Sequence, residues 1–198
     1  MRIESNKQHF EETFNQQTLL SADISVTEFE QCEFNHCDFS STTFSHCKFI
    51  NCSFNHCNLS LIKISHSRFF EVEFTECKII GVDWTKAYWP PYHLDSELKF
   101  NQCILNDSSF FGLTLHELNL THCKLHEADF REGDFPNSSM QNCDFTNSLF
   151  MRTNLQNVDF TESWNFTIDV LQNKITNAKF SRYEALSLLD SLEIELVD

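Results

Sequence analysis

The side chains best equipped for chemistry in this 198-residue chain are nine cysteines, nine histidines and 29 Asp and Glu. The thiols stand at Cys32, Cys37, Cys47, Cys52, Cys57, Cys77, Cys103, Cys123 and Cys143, and four imidazoles recur every ten residues at His36, His46, His56 and His66. Regular thiols invite a disulfide or metal reading, and paired imidazoles a weak transition-metal site. No Ser lies in a G-x-S-x-G elbow or beside an identifiable base. Three glycines in the whole chain leave no Gly-rich phosphate cradle of the dinucleotide or P-loop kind. Carboxylates solvated on a regular surface have no reason to hold a shifted pKa. The sequence therefore argues against an enzyme, and no cofactor is expected.

What positions these groups is a period of five. From Phe14 to Trp89 every fifth residue is apolar, through Leu19, Ile24, Phe29, Phe34 and onward. A second series runs from Phe100 to Phe180 with Asn165 as its only polar member. Seventeen of the 21 Phe fall on these centres, where chance predicts about four. All nine cysteines stand two residues before a centre, and Asp or Asn often stands just before it, as at Asp38, Asn58, Asp83, Asn119, Asp129, Asp144, Asn154 and Asp159. A period of five is neither the 3.6 of a helix nor the 2.0 of a strand. It suits a chain that lays down one short extended piece, turns a corner and repeats.

These units resemble the pentapeptide-repeat family over residues 10–181. The resemblance implies an all-β solenoid, a right-handed quadrilateral β-helix with four pentapeptides per coil and a short C-terminal helix. The centre and the small residue two before it then point inward, and the other three face out. Each coil buries its inner face only against its neighbours. At strand spacing about eight coils make a rod ~40 Å long. Residues twenty apart should form columns: Phe34, Phe54 and Phe74; Phe29, Phe49, Phe69 and Trp89; Phe110, Phe130 and Phe150; Cys37, Cys57 and Cys77; Cys103, Cys123 and Cys143. With that geometry the thiols are inward, free and structural. The histidines become outward pairs, His36 with His56 and His46 with His66, unable to complete a tetrahedral site with the inward thiols.

The period breaks in three places. Trp89 and Phe100 are eleven apart, and Pro90-Pro91 removes two ladder donors, so a seam near 90–96 divides residues 1–181 into two stacks of one rod. At Trp164-Asn165-Phe166 the polar centre between aromatics predicts a bulge that pushes an aromatic outward. After Phe180 the period stops. Residues 182–198 hold helix formers and a Tyr183/Leu186/Leu189 stripe, followed by an Ile194/Leu196 alternation that reads as a short strand. This tail serves as a cap for the open end, and its apolar excess, with Leu192, also suggests a homodimer through the C-terminal segment. No apolar run is long enough to span a membrane, and the start is too polar for a secretion signal, so a cytoplasmic protein is expected.

Acidity carries the functional content. The net charge of −15 argues against nucleic acid and for a basic partner. Residues 1–89 hold 12 acids and 7 bases, and residues 90–198 hold 17 and 7. The candidate partner-binding surface is therefore Glu97, Asp107, Glu117, Glu127, Asp129, Glu132, Asp134, Asp144, Asp159 and Glu162. Stacked like charges such as Glu97/Glu117 and Asp107/Glu127 cost self-repulsion. The plain alternative is that these acids keep a sticky stack soluble. With the seam, the Gly81-Val82-Asp83-Trp84-Thr85 stretch and the Glu193-Ile194-Glu195-Leu196 end, the chain is similar to the family's topoisomerase-protecting branch, that of AlbG and, more distantly, MfpA, McbG and Qnr. That likeness implies a DNA mimic that binds DNA gyrase and protects it from topoisomerase poisons. Insertions long enough for the projecting loops of Qnr proteins are missing. A protein-interaction scaffold for another partner, or a metal-binding surface through the histidine pairs, are the other readings.

Overall fold

The computed structural model describes residues 3–92, 98–192, 194 and 197. The chain winds into a four-sided right-handed β-helix of about eight coils. One side is a nine-stranded parallel sheet, running from Thr13–Asn15 through Glu33–Asn35, Ser53–Asn55, Val72–Thr75, Leu98–Asn101, Asn119–Thr121, Ser139–Gln141 and Asp159–Phe160 to Lys179–Phe180. Successive strands are in register at twenty residues, as with Phe34↔Phe54. Following the chain round, a second side carries the bridges Asp38↔Asn58↔Lys78 and Lys124↔Asp144↔Trp164. The third carries Asp23–Ser25 on Thr43–Ser45, then Asp83↔Ser109↔Asp129↔Leu149. The fourth begins with Gln8–Phe10, Glu28–Glu30, Lys48–Ile50 and Arg68–Phe70 and continues as Thr114↔Asp134↔Asn154↔Lys174.

Alternate residues point in, so the centres and the small residues before them make one buried column. Stacking is ring on ring: Phe34 lies 4.5 Å from Phe54, Phe54 5.0 Å from Phe74, and Phe130 5.0 and 5.1 Å from Phe110 and Phe150. Edge-to-face contacts such as Phe34–Phe39 at 5.8 Å join neighbouring sides, the arrangement that aromatic quadrupoles favour. Phe29, Phe49 and Phe69 stack at 5.0 and 5.1 Å, but Trp89 adds no ring to them. Its indole instead donates to the Trp84 carbonyl at 2.9 Å, and Phe69 meets Trp84 edge-on at 5.4 Å.

Across the seam the register is 26 rather than 20 residues, with Phe74 on Phe100 and their rings 5.0 Å apart. Six added residues are thus absorbed without interrupting the long sheet. The bridge Lys78↔Ile104 sets Cys103 over Cys77, so two expected triplets of thiols become one file: Cys37, Cys57, Cys77, Cys103, Cys123 and Cys143. Within it the Cys37 N–H donates to Cys57 Sγ at 3.4 Å, and each thiol donates to a backbone carbonyl, Cys57 to Phe34 at 3.2 Å. All nine thiols are free and buried, and burial pushes Cys52 up to about 12. These are inert core groups.

Each pentapeptide turns its corner at the second residue after the centre. There, among the described residues, 28 non-glycine residues hold φ between 50° and 60°, including His36, Glu76, Asp107 and Asn137. Such residues pay a left-handed penalty of about 1–2 kcal/mol. It is offset because their N–H groups donate to the next coil, as from His36 to the Asn55 carbonyl at 2.9 Å. The Asp/Asn preference before the centre has the same local origin. Those side chains accept the N–H two residues on, at Asp38 from Ser40 (2.9 Å) and at Asp159 from Thr161 (3.0 Å).

At the ends the pattern bends. Phe166, not Asn165, fills the core, Trp164 turns out, and Phe150 pairs with Ile168, two residues early. Before Phe14 about half a coil more exists, with buried His9 stacked 5.1 Å from Phe29 and bonded to Glu12 at 2.6 Å. Glu184–Leu192 is a 3-10 helical segment, joined to the last coil by the Val170 N–H donating to Ser191 Oγ at 3.2 Å. The strand expected around Ile194 and Leu196 falls largely outside the described residues. Among the described residues no helix is long and apolar enough to cross a membrane.

Candidate partner-binding surface

At the C-terminal end the rod presents apolar side chains to solvent. Leu188 packs on the core and Leu189 is half-buried, while Tyr183 (82% exposed), Leu186, Leu192 and Ile194 project outward. Leu196 lies outside the described residues. The stripe expected at Tyr183, Leu186 and Leu189 is therefore not the one that covers the rod. A 3-10 segment repeats every three residues, so Leu188 is the side chain that faces inward. Beside it an open groove of about 590 Å³ runs between Glu162, Trp164, Arg182 and Tyr183.

The acidic residues do not share one side. Asp107, Glu127 and Asp144 belong to the second side and its corner, and Asp129 and Glu132 to the third. Glu117 and Asp134 belong to the fourth, Asp159 and Glu162 to the first. Glu97 lies outside the described residues, so its stacking with Glu117 does too. Five of the ten face a basic group. Asp129 meets Arg131 at 2.8 Å, Glu132 meets Arg152 at 2.7 Å, and Asp159 meets Lys179 at 3.3 Å. Asp134 meets His116 at 3.2 Å and Asp144 meets His126 at 2.8 Å.

These carboxyls are structural as much as electrostatic. At Asp144 burial raises the pKa, but hydrogen bonds from Thr146, Asn165 and His126 outweigh it and hold the group at about 2. At Asp129 the Arg131 guanidinium and N–H likewise outweigh burial and lower it. Asp134 is the exception that exposes the rule. Pro136 stands where the donating N–H would be, and Asp134 is held instead by Asn154 at 2.7 Å and by His116. Asp107, Glu117, Glu127 and Glu162 have no basic partner among the described residues, and Glu127 accepts only from Asn147, at 2.7 Å. Asp107 and Glu127 lie on adjacent coils of one corner.

The imidazole pairs form, His36 stacked on His56 with centroids 4.8 Å apart and His46 against His66 at 4.9 Å with the rings tilted by 32°. Among the described residues no group of three or more His, Cys, Asp or Glu is placed to hold a metal ion.

No curated protein matches this sequence. Among solved structures the chain is similar to a trypsin-treated variant of QnrB1, described as a plasmid-mediated fluoroquinolone resistance protein. The TM-score is 0.73 at 18% identity, covering 97% of this chain and 98% of that one. A second trypsin-treated QnrB1 variant gives a TM-score of 0.63 at 19% identity, covering 96% and 99%. At such identities the likeness is one of fold. The model of the pentapeptide repeat region matches residues 27–110 and 93–160, more than half of the sequence. With the five-residue corner, the four sides and the inward centres all present, the chain belongs to the pentapeptide-repeat family.

Proposed function

We propose that this protein is a non-catalytic rod that binds a type II topoisomerase, DNA gyrase, and protects it from topoisomerase poisons. The observation that carries the reading is the end-to-end match of the rod with QnrB1, a resistance protein by its description. The sequence likeness to the AlbG branch supports the same partner. Docking is by a homodimer joined through Tyr183, Leu186, Leu189, Leu192, Ile194 and Leu196, and the exposed apolar end supports that joint. Imitation of DNA rests on the net charge of −15 and on the carboxylates without a cation among the described residues, Asp107, Glu117, Glu127 and Glu162. The cytoplasm, where gyrase and free thiols both belong, is the proposed location. Supercoiling and drug-induced cleavage by gyrase test the reading, with and without a quinolone. Micromolar protein should restore supercoiling in the poisoned reaction, less so as salt rises. The absence of both rescue and inhibition at that concentration defeats the proposal.

A second reading has its own observation, the pairing of five candidate acids with basic groups. A surface so neutralised suits a scaffold whose flat sides bind another protein with little salt dependence. A pull-down that recovers a salt-insensitive partner other than a topoisomerase would favour it.

A further inference from the structure

The corner between the third and fourth sides has the opposite character in the lower half of the rod. We propose that this strip, built from His46, Lys48, Lys63, His66, Arg68 and Lys86, binds the backbone phosphates of a nucleic-acid strand. The register puts Lys48 beside Arg68 and Lys63 above Thr43, on adjacent coils. The His66 ring lies 4.9 Å from that of His46, and the His66 N–H donates to the Lys86 carbonyl at 2.8 Å, which fixes Lys86 as the next step of the same corner. Four fixed cations against Glu28, 3.1 Å from Lys48, and Asp83, 3.5 Å from Lys86, leave a local charge of 4 − 2 = +2. Lys63 and Arg68 have no acidic partner among the described residues. Arg68 Nε is buried without any hydrogen-bond partner, its guanidinium 5.3 Å from the Phe70 ring.

The side chains between the cations suit an oxyanion. Ser45 and Ser65 each stand next to one of the imidazoles, and an open groove of about 440 Å³ at the lower end of the strip is lined by Lys7, Gln8, Glu28, His46 and Lys48. Two coil steps span about 10 Å, room for about three phosphates of one strand at ~3.4 Å of axis each. Tyr88, exposed and one coil above Arg68, offers a ring on which a base can stack. The net charge of −15 does not forbid this, because at 0.1 M salt charges more than about 10 Å away are screened and the local groups decide.

Fluorescence anisotropy of a labelled twelve-residue thymidine strand, titrated with the full chain between 50 and 200 mM salt, tests the strip. Wild type should bind saturably. Lys63→Glu with Arg68→Glu should weaken binding at least tenfold and flatten the logarithmic salt slope by about 1.4. Lys63→Glu with Lys86→Glu, both exposed, repeats the test should the Arg68 variant fold poorly. Lys124→Glu with Lys174→Glu changes the net charge equally, on the second side and in the upper half of the fourth, away from the strip, and should cost less than twofold. The proposal is overturned by no saturable binding at 50 mM salt, or by equal losses from the strip and control pairs. Tight binding of tripolyphosphate without binding of the strand overturns it as well, and assigns a free-phosphate site instead.

Discussion

Residues 3–89 and residues 98–180 build one interior and two different exteriors. In the lower half the centres are mainly Phe, stacked in files. In the upper half Leu105, Leu115, Leu120, Leu125, Leu155 and Met140 alternate with them, and burial is equally complete. Outside, the lower half leaves Lys63 and Arg68 without an acidic partner among the described residues, whereas the upper half ties Asp129, Asp134, Asp144 and Asp159 to neighbouring cations or imidazoles. The five-residue period thus dictates size and direction at two positions in five, and the other three are left to diverge. A solenoid can change its surface, coil by coil, without touching its core.

The largest test of that separation lies inside. Phe34→Ala removes a ring held by Phe14, Phe54, Phe29 and Phe39, and Phe130→Ala one held by Phe110, Phe150 and Phe135. Each should cost about 3–5 kcal/mol in urea unfolding. Both variants should unfold in a single transition, because the sheet passes the seam at Phe74 and Phe100. Two transitions, only one of them moved by each variant, would show that the halves are separate folding units.

Next in size is a defect peculiar to the upper half. Gly133 occupies an inward small position, and a Cβ there would sit 2.3 Å from the Phe135 ring. Gly133→Ala should lower stability by about 1–3 kcal/mol by overpacking. The equivalent slots in the lower half hold Cys47 and Ser67, which already carry a Cβ, so Cys47→Ala there should cost less.

The interior was legible in the sequence because the constraint repeats: Phe34, Phe54 and Phe74 each announce the same slot. What was illegible were single departures from the repeat. Six residues inserted after Trp89 shift the register from 20 to 26, and counting in fives cannot tell an added residue from an added unit plus one. That is why Cys77 and Cys103 looked unrelated. His9 was overlooked since a polar residue at a centre reads as the end of the pattern. The candidate acids were chosen by charge alone, and residues such as Asp129 and Asp144 are there first because their side chains accept the N–H two residues on. The signal was present in the Asp/Asn preference before each centre, where Asn serves as well as Asp, as at Asn58 and Asn154. The basic corner was hidden because its members are scattered over forty residues of sequence and meet only in the fold.

A smaller effect separates the corners themselves. Val26, a β-branched residue, sits at φ 52°, while Asn137 holds the same role at 60° in the upper half. Val26→Asn relieves a conformation that Asn adopts readily and should stabilise the chain by about 1 kcal/mol. Thermal unfolding checks it. The mirror change, Asn137→Val, should destabilise by a similar amount and also break the ladder in which Asn157 donates to Asn137 at 2.9 Å.

The smallest effect is in acid. Asp144 sits at about 2, below the ordinary carboxylate value of 3.8, so the folded chain binds its proton later than the unfolded one. Its contribution is complete above about pH 4 and is lost as pH falls through about 2. With solvent screening it amounts to about 1 kcal/mol. Asp38, the corresponding residue of the lower half, is also lowered: burial raises it, but hydrogen bonds from Ser40 and Asn58 outweigh that, with no imidazole. Asp144→Asn should therefore flatten the loss of stability between pH 4 and pH 2 more than Asp38→Asn does. Equal flattening would mean that the His126 and Asn165 contacts add nothing, and that the two halves manage their surface carboxylates alike.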